Sequence, residues 1–147
     1  MTEQEFWDVI QLLDWSRLEA DEEFGVIRPV VDALLMKSTA DIMAFDDLLS
    51  EKLYQLDGAA YAEAAGVSGQ YEDLFLYARC CVIANGEDAY NSVKETPELM
   101  PSGLDFDELL FVAERAWAVK TGGDYHHRPA YSMEMHANQA NWPPLPS

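Results

Sequence analysis

Residues 70–86 read QYEDLFLYARCCVIANG, and the way this stretch folds decides the architecture of the chain. Leu74, Phe75, Leu76, Val82 and Ile83 leave it apolar on nearly every face, and between Leu74 and Ala84 the only charged side chain is Arg79. The pattern predicts a helix from about Gln70 to Asn85, with Gly86 as its C-terminal cap. A helix apolar all round is usually central and buried. An arginine inside it needs a carboxylate, because an unpaired buried charge is very costly. Asp46 and Glu108 are the expected partners, in a buried pair that fixes how helices register. An anion-binding Arg79 and an Arg79 at the surface are the alternatives.

Outward from this helix the same periodicity recurs. Thr2 with Glu5 has the spacing of a capping box, and Phe6, Ile10 and Leu13 follow at helical intervals. A second helix lies within 21–37, where Pro29 either opens it or kinks it. Ser38 with Asp41 starts the clearest amphipathic helix: Ile42, Phe45, Leu49, Leu53 and Leu56 share one side, while Asp41, Asp47, Glu51 and Lys52 face water. A short Ala-rich turn closes at Gly66, a helix covers Glu87 to Lys94, and LDFDELLFVAERAWAVKTGG (104–123) forms the last strong helix. From Gly122 periodicity is lost and prolines accumulate. The expectation is an all-α, compact, single-domain bundle of about six to seven helices over 1–121. An irregular tail over 122–147 follows, either wrapping the body through Tyr125, Tyr131 and Trp142 or staying partly mobile.

Chemical signatures are weak. Adjacent Cys80 and Cys81 point about 100° apart on a helix, so they neither bridge each other nor chelate one metal well. Core packing is the reading for both. His126 and His127 diverge likewise, and with His136, Asp124 and Glu134 they match no recognised metal spacing. There is no GxSxG, Gly-rich phosphate loop or CxxC, and carboxylate pairs are expected by chance among 27 acids. No catalytic, cofactor-binding or metal residue is therefore assigned, and the chain is expected not to be an enzyme.

The distinctive quantity is charge: 27 acidic against 9 basic residues give a net −18. Such a field repels nucleic acid and anionic membranes and favours basic partners, although acidity also serves solubility alone. No apolar run reaches the roughly 20 residues of a membrane span, and the acidic start is unlike a secretory signal. A cytoplasmic protein is expected.

The order of these helices resembles the bacterial family known as domain of unknown function 4240. The resemblance runs from EFWDVI through IMAFDDLLSEKLYQLDGAAYAEA, and is strongest in FLYARCCVIANGEDAYNSV and LDFDELLFVAERAW, covering roughly residues 5–120. It is carried by Phe6-Trp7, by Phe45-Asp46, by Tyr77 through Arg79 to Gly86, and by Phe106 with Leu109-Leu110. The chain departs from it at Cys80-Cys81, where relatives often carry bulkier apolar residues, and after Gly122. The resemblance implies one packing scaffold and no activity or cofactor.

A small, acidic chain without catalytic motifs leads to one expectation above the others. It is a bacterial protein-interaction module for a basic partner, most concretely an immunity protein neutralising a nuclease-like toxin. Asp21, Glu22, Glu23, Asp47 and Glu51 are the candidate partner-binding residues. A DNA-charge mimic that blocks a nucleic-acid enzyme is the alternative within this class. A small-ligand or enzymatic pocket near Arg79 or Trp117 is the alternative outside it.

Overall fold

Residues 1–19 and 23–144 are described by the computed structural model, and among them seven α-helices and short 3-10 turns form the regular structure, with no strand. The all-α expectation holds. Contacts group the chain into two compact units: Met1–Leu48 with Glu108–Pro129, and Leu49–Asp107 with the chain from Ala130 onward. The residues after Gly122 are divided between the two units at Pro129 and Ala130.

In the first unit, α1 (Glu3–Ile10) begins where the Thr2 hydroxyl accepts the Glu5 N–H at 3.1 Å. It buries Phe6 and Trp7, and the Phe6 ring lies 5.1 Å from those of Trp7 and Phe45. In α2 (Arg28–Leu35), Pro29 stands in the first turn, so it opens the helix and does not kink it. The third helix, α3 (Thr39–Gln55), starts behind a reciprocal cap: Ser38 Oγ accepts from Asp41 N at 3.2 Å, and Asp41 Oδ2 from Ser38 N at 3.3 Å. The expected last helix is split into a 3-10 turn, Asp107–Phe111, and α7, Val112–Thr121. A three-residue repeat sets Leu109 and Val112 on one side, and both are fully buried. Gly122 ends α7 in the left-handed region, its N–H donating to Ala118 O at 2.8 Å.

The second unit holds the rest of α3, then α4 (Ala59–Ala64), a 3-10 turn (Gly66–Gln70), α5 (Glu72–Ala84) and α6 (Glu87–Glu95). The turn at 66–70 packs on both α4 and α5. A Cβ on Gly69 would stand 1.8 Å from Ala62 O, so only glycine lets the turn close onto α4. As expected, α5 is the buried helix, with Phe75, Ala78, Cys80, Val82 and Ile83 in the core. Lys52, expected to face water, is instead only 2% exposed. Its ammonium lies 5.6 Å from the centre of the Tyr90 ring, and a lysine's long apolar stem tolerates such burial.

Arg79 is fully buried, but its partners differ from those expected. Nη1 donates to Leu53 O at 2.9 Å and Nη2 to Met133 O at 3.0 Å, with the guanidinium 4.5 Å from the Phe75 ring centre. Nε–H has no partner among the described residues. Asp46 accepts instead from the Tyr125 hydroxyl at 2.8 Å, and Glu108 from the Phe24 N–H at 3.0 Å. The expected ion pair is thus replaced by main-chain oxygens. The physical reason lies at the end of α3, where Leu53 belongs to the last turn and its carbonyl is at the negative end of the helix dipole. Burial pulls the Arg79 guanidinium below its usual range, opposed first by the field of Asp57.

Asp57, just past α3, is a fully buried carboxylate that sequence reading assigned only to a helix stop. It accepts the N–H groups of His136 at 3.1 Å and Asn138 at 2.8 Å, and the indole N–H of Trp142 at 3.0 Å. Its main-chain carbonyl accepts from the Asn141 amide at 3.2 Å. The Tyr131 ring lies 5.0 Å from Tyr54, and Trp142 meets Phe75 edge-on at 6.4 Å. Tyr131, His136, Asn138 and Trp142 thus make their contacts within the second unit.

Candidate functional site

The second unit distributes its charge unevenly between interior and surface. It contains three Lys or Arg residues, Lys52, Arg79 and Lys94, and two of them are buried. Lys94 is its one exposed cation among the described residues, whereas Glu63, Glu72, Asp73, Asp88, Glu95 and Asp105 are all exposed carboxylates. The first unit keeps Arg28, Arg115, Lys120 and Arg128 at its surface. By composition the second unit already carries 12 carboxylates against three cations, and burial of Lys52 and Arg79 leaves Lys94 as the exposed cation beside them.

Part of that surface is also apolar. Val67, Leu74 and Leu104 are exposed by 66%, 40% and 58%, and with Ser68, Gly103 and Asp105 they line a groove of about 280 Å³. Local folding builds it. Phe106 is buried and donates its N–H to Tyr77 O at 3.3 Å, which fastens the 101–107 segment to α5. Gly103 N–H donates to Ser68 Oγ at 3.3 Å, which fastens the same segment to the 66–70 turn. Tyr77 lies three residues after Leu74, on the same face of α5. Desolvation, then the fields of Asp73 and Asp107, push its phenol up, and Asp105 lines the groove itself.

The candidate residues read from sequence are scattered by comparison. Asp21 and Glu22 lie outside the described residues, and Glu23 is exposed on the first unit. Asp47 Oδ1 lies 2.7 Å from His127 Nε2, and Glu51 accepts from the Gln55 amide at 3.5 Å. Tyr125 bonds Asp46 and stacks edge-on against Trp117 at 5.4 Å. Desolvation raises the Asp46 carboxyl above its usual range, and the Tyr125 hydrogen bond only partly offsets that. Cys80 is pushed up to about 12 by burial, an inert thiol in the core. Burial also raises Cys81, which is half-buried.

Two other cavities are present among the described residues. One of about 680 Å³ is lined by His136, Gln139, Trp142 and the Pro143-Pro144 pair. Another of about 500 Å³, in the first unit, runs between α2 and α7 past Phe24, Arg28 and Arg115. Arg79 lines neither. Among the described residues no group of three His, Cys, Asp or Glu side chains is placed to hold a metal ion. No helix among them is long and apolar enough to cross a membrane.

Sequence reasoning missed the groove because Leu104, in an irregular segment, meets Val67 and Leu74 from some 30 residues further along the chain. Leu104 was read as the start of the last helix, whereas the first helical turn there begins at Asp107 and leaves Leu104 in the irregular segment.

The family described as "Protein of unknown function (DUF4240)" matches residues 1–119. The chain belongs to this family. Its DUF4240 residues have packing roles in the fold: Phe6 stacks on Trp7 and Phe45, Arg79 holds the end of α3, and Phe106 anchors the groove segment to Tyr77. The DUF4240 match stops before the tail, yet Asp57 and Arg79 inside it find partners at Met133 to Trp142. No curated protein and no solved structure matches the chain.

Proposed function

We propose that this DUF4240 protein is a non-enzymatic module that captures a basic protein, most concretely an immunity protein that neutralises a nuclease-like toxin. One observation supports the reading: the second unit buries Lys52 and Arg79 and leaves Lys94 as its exposed cation among many exposed carboxylates. A nuclease needs lysines and arginines around its site to hold phosphates. A protein surface that offers carboxylates in place of phosphates covers such a site with complementary charge. The long-range field of a net −18 chain also steers the encounter and raises the association rate.

The test is capture on the immobilised full chain at low ionic strength, from cells that encode it. The expected result is retention of a basic protein that moderate salt releases, together with loss of that protein's nuclease activity when the chain is added. Retained proteins no more basic than the lysate, or retention indifferent to salt, would count against the proposal.

A further inference from the structure

The groove on the second unit has the anatomy of a protein-recognition site. It is an open groove of about 280 Å³ on the surface of the second unit, large enough to take a protruding side chain. Its walls are Val67, Leu74 and Leu104, exposed apolar residues gathered in one place, where single scattered ones would need no explanation. The segment that carries Leu104 is held at both sides, by Phe106 N–H on Tyr77 O and by Gly103 N–H on Ser68 Oγ. The apolar walls are therefore presented on a fixed frame, which lowers the ordering cost of binding. Asp105 lines the groove, exposed Asp73 precedes Leu74 on α5, Asp107 follows Asp105 by two residues, and among the described residues no lysine or arginine lines it. An apolar centre with a charged rim is how protein interfaces are commonly built.

We infer that this groove is where the basic partner docks, taking a segment that sets one apolar side chain between lysines or arginines. The apolar side chain enters between Val67, Leu74 and Leu104, and the flanking cations meet Asp73, Asp105 and Asp107. The inference rests on the reading of the chain as a module for a basic protein, and commits that reading to one place. Charge supplies the approach and the groove supplies the register, because a desolvated apolar anchor contributes more to holding a complex than exposed ion pairs do.

Two synthetic peptides test it against the full chain: an amphipathic helix of lysine and leucine, and an oligolysine of equal charge. Fluorescence anisotropy at low salt is expected to show the lysine–leucine peptide binding more tightly, with amide shifts at Val67, Leu74 and Leu104 in NMR spectra. Leu104→Ser should weaken that peptide about tenfold and bring it to the level of oligolysine. Asp105→Asn should weaken both peptides by about threefold. Leu99→Ser, at an equally exposed leucine away from the groove, should change neither. Val67→Ser repeats the test if Leu104→Ser disturbs the fold by circular dichroism. Equal binding of the two peptides, insensitive to Leu104→Ser and Val67→Ser, would overturn the groove while leaving the capture of a basic protein standing. Failure of both peptides to bind at low salt would overturn the two together.

Discussion

Arg79 keeps its charge in the interior by donating to Leu53 and Met133 carbonyls, with the field of Asp57 as its chief electrostatic support. Removing the guanidinium leaves two buried carbonyls and one buried carboxylate short of positive charge. Arg79→Ala is expected to cost about 3–5 kcal/mol in urea unfolding, and Arg79→Met distinctly less, since it fills the space. Asp57→Asn turns an N–H toward donors already aimed at the carboxylate, and should free the tail to proteolysis within residues 131–142. Asp46 carries the opposite sign of effect. Its raised carboxyl binds more protons folded than unfolded between its two pKa values, so stability falls as pH rises through that window and stays lower above it. Asp46→Asn should therefore be the more stable form at pH 7, with the difference closing in acid below the window. Cys80, with its thiol pushed up to about 12, should resist alkylation at pH 8 in the folded protein and react fully in denaturant. That Arg79 is buried was legible from its apolar neighbours. Asp57 was not, because Asp-Gly reads as a turn and its partners stand some 80 residues further along the chain.

Helices with a local signal were legible as elements. Thr2 with Glu5 and Ser38 with Asp41 cap α1 and α3 as their spacing implies, and Gly122 stops α7. Pro29 left two readings open, since proline is compatible with a first turn and with a kink, and only the surrounding chain decides. The split of the last helix into a 3-10 turn and α7 depends on burial of Leu109 and Val112 together, which no local pattern encodes. Lys52 was misplaced for a similar reason: its place on the helix gave it to water, and Tyr90 on another element received it. Close packing between elements makes the sharpest prediction at this scale. Gly69→Ala drives a methyl group into the Ala62 carbonyl, where backbone has to move, so it should lower stability by at least about 2 kcal/mol in thermal melts. It should also disturb the groove, since the 66–70 turn supplies Val67 and Ser68 to its wall.

Across the molecule, net charge was legible at once and its placement was not. Composition gives −18, and burial of Lys52 and Arg79 leaves Lys94 as the second unit's exposed cation among the described residues. Sequence reasoning spread the candidate contacts over Asp21, Glu22, Glu23, Asp47 and Glu51, whereas the apolar groove lined by Asp105, with Asp73 and Asp107 near it in the chain, lies elsewhere. The most direct measurement is the association rate with the captured basic partner as a function of salt. It should be made for the native chain and for the Asp73→Asn, Asp105→Asn, Asp107→Asn triple variant. The native rate is predicted to fall steeply between low and physiological ionic strength, and the variant to start slower and fall less steeply. Identical rates and identical salt slopes for the two proteins would contradict the account.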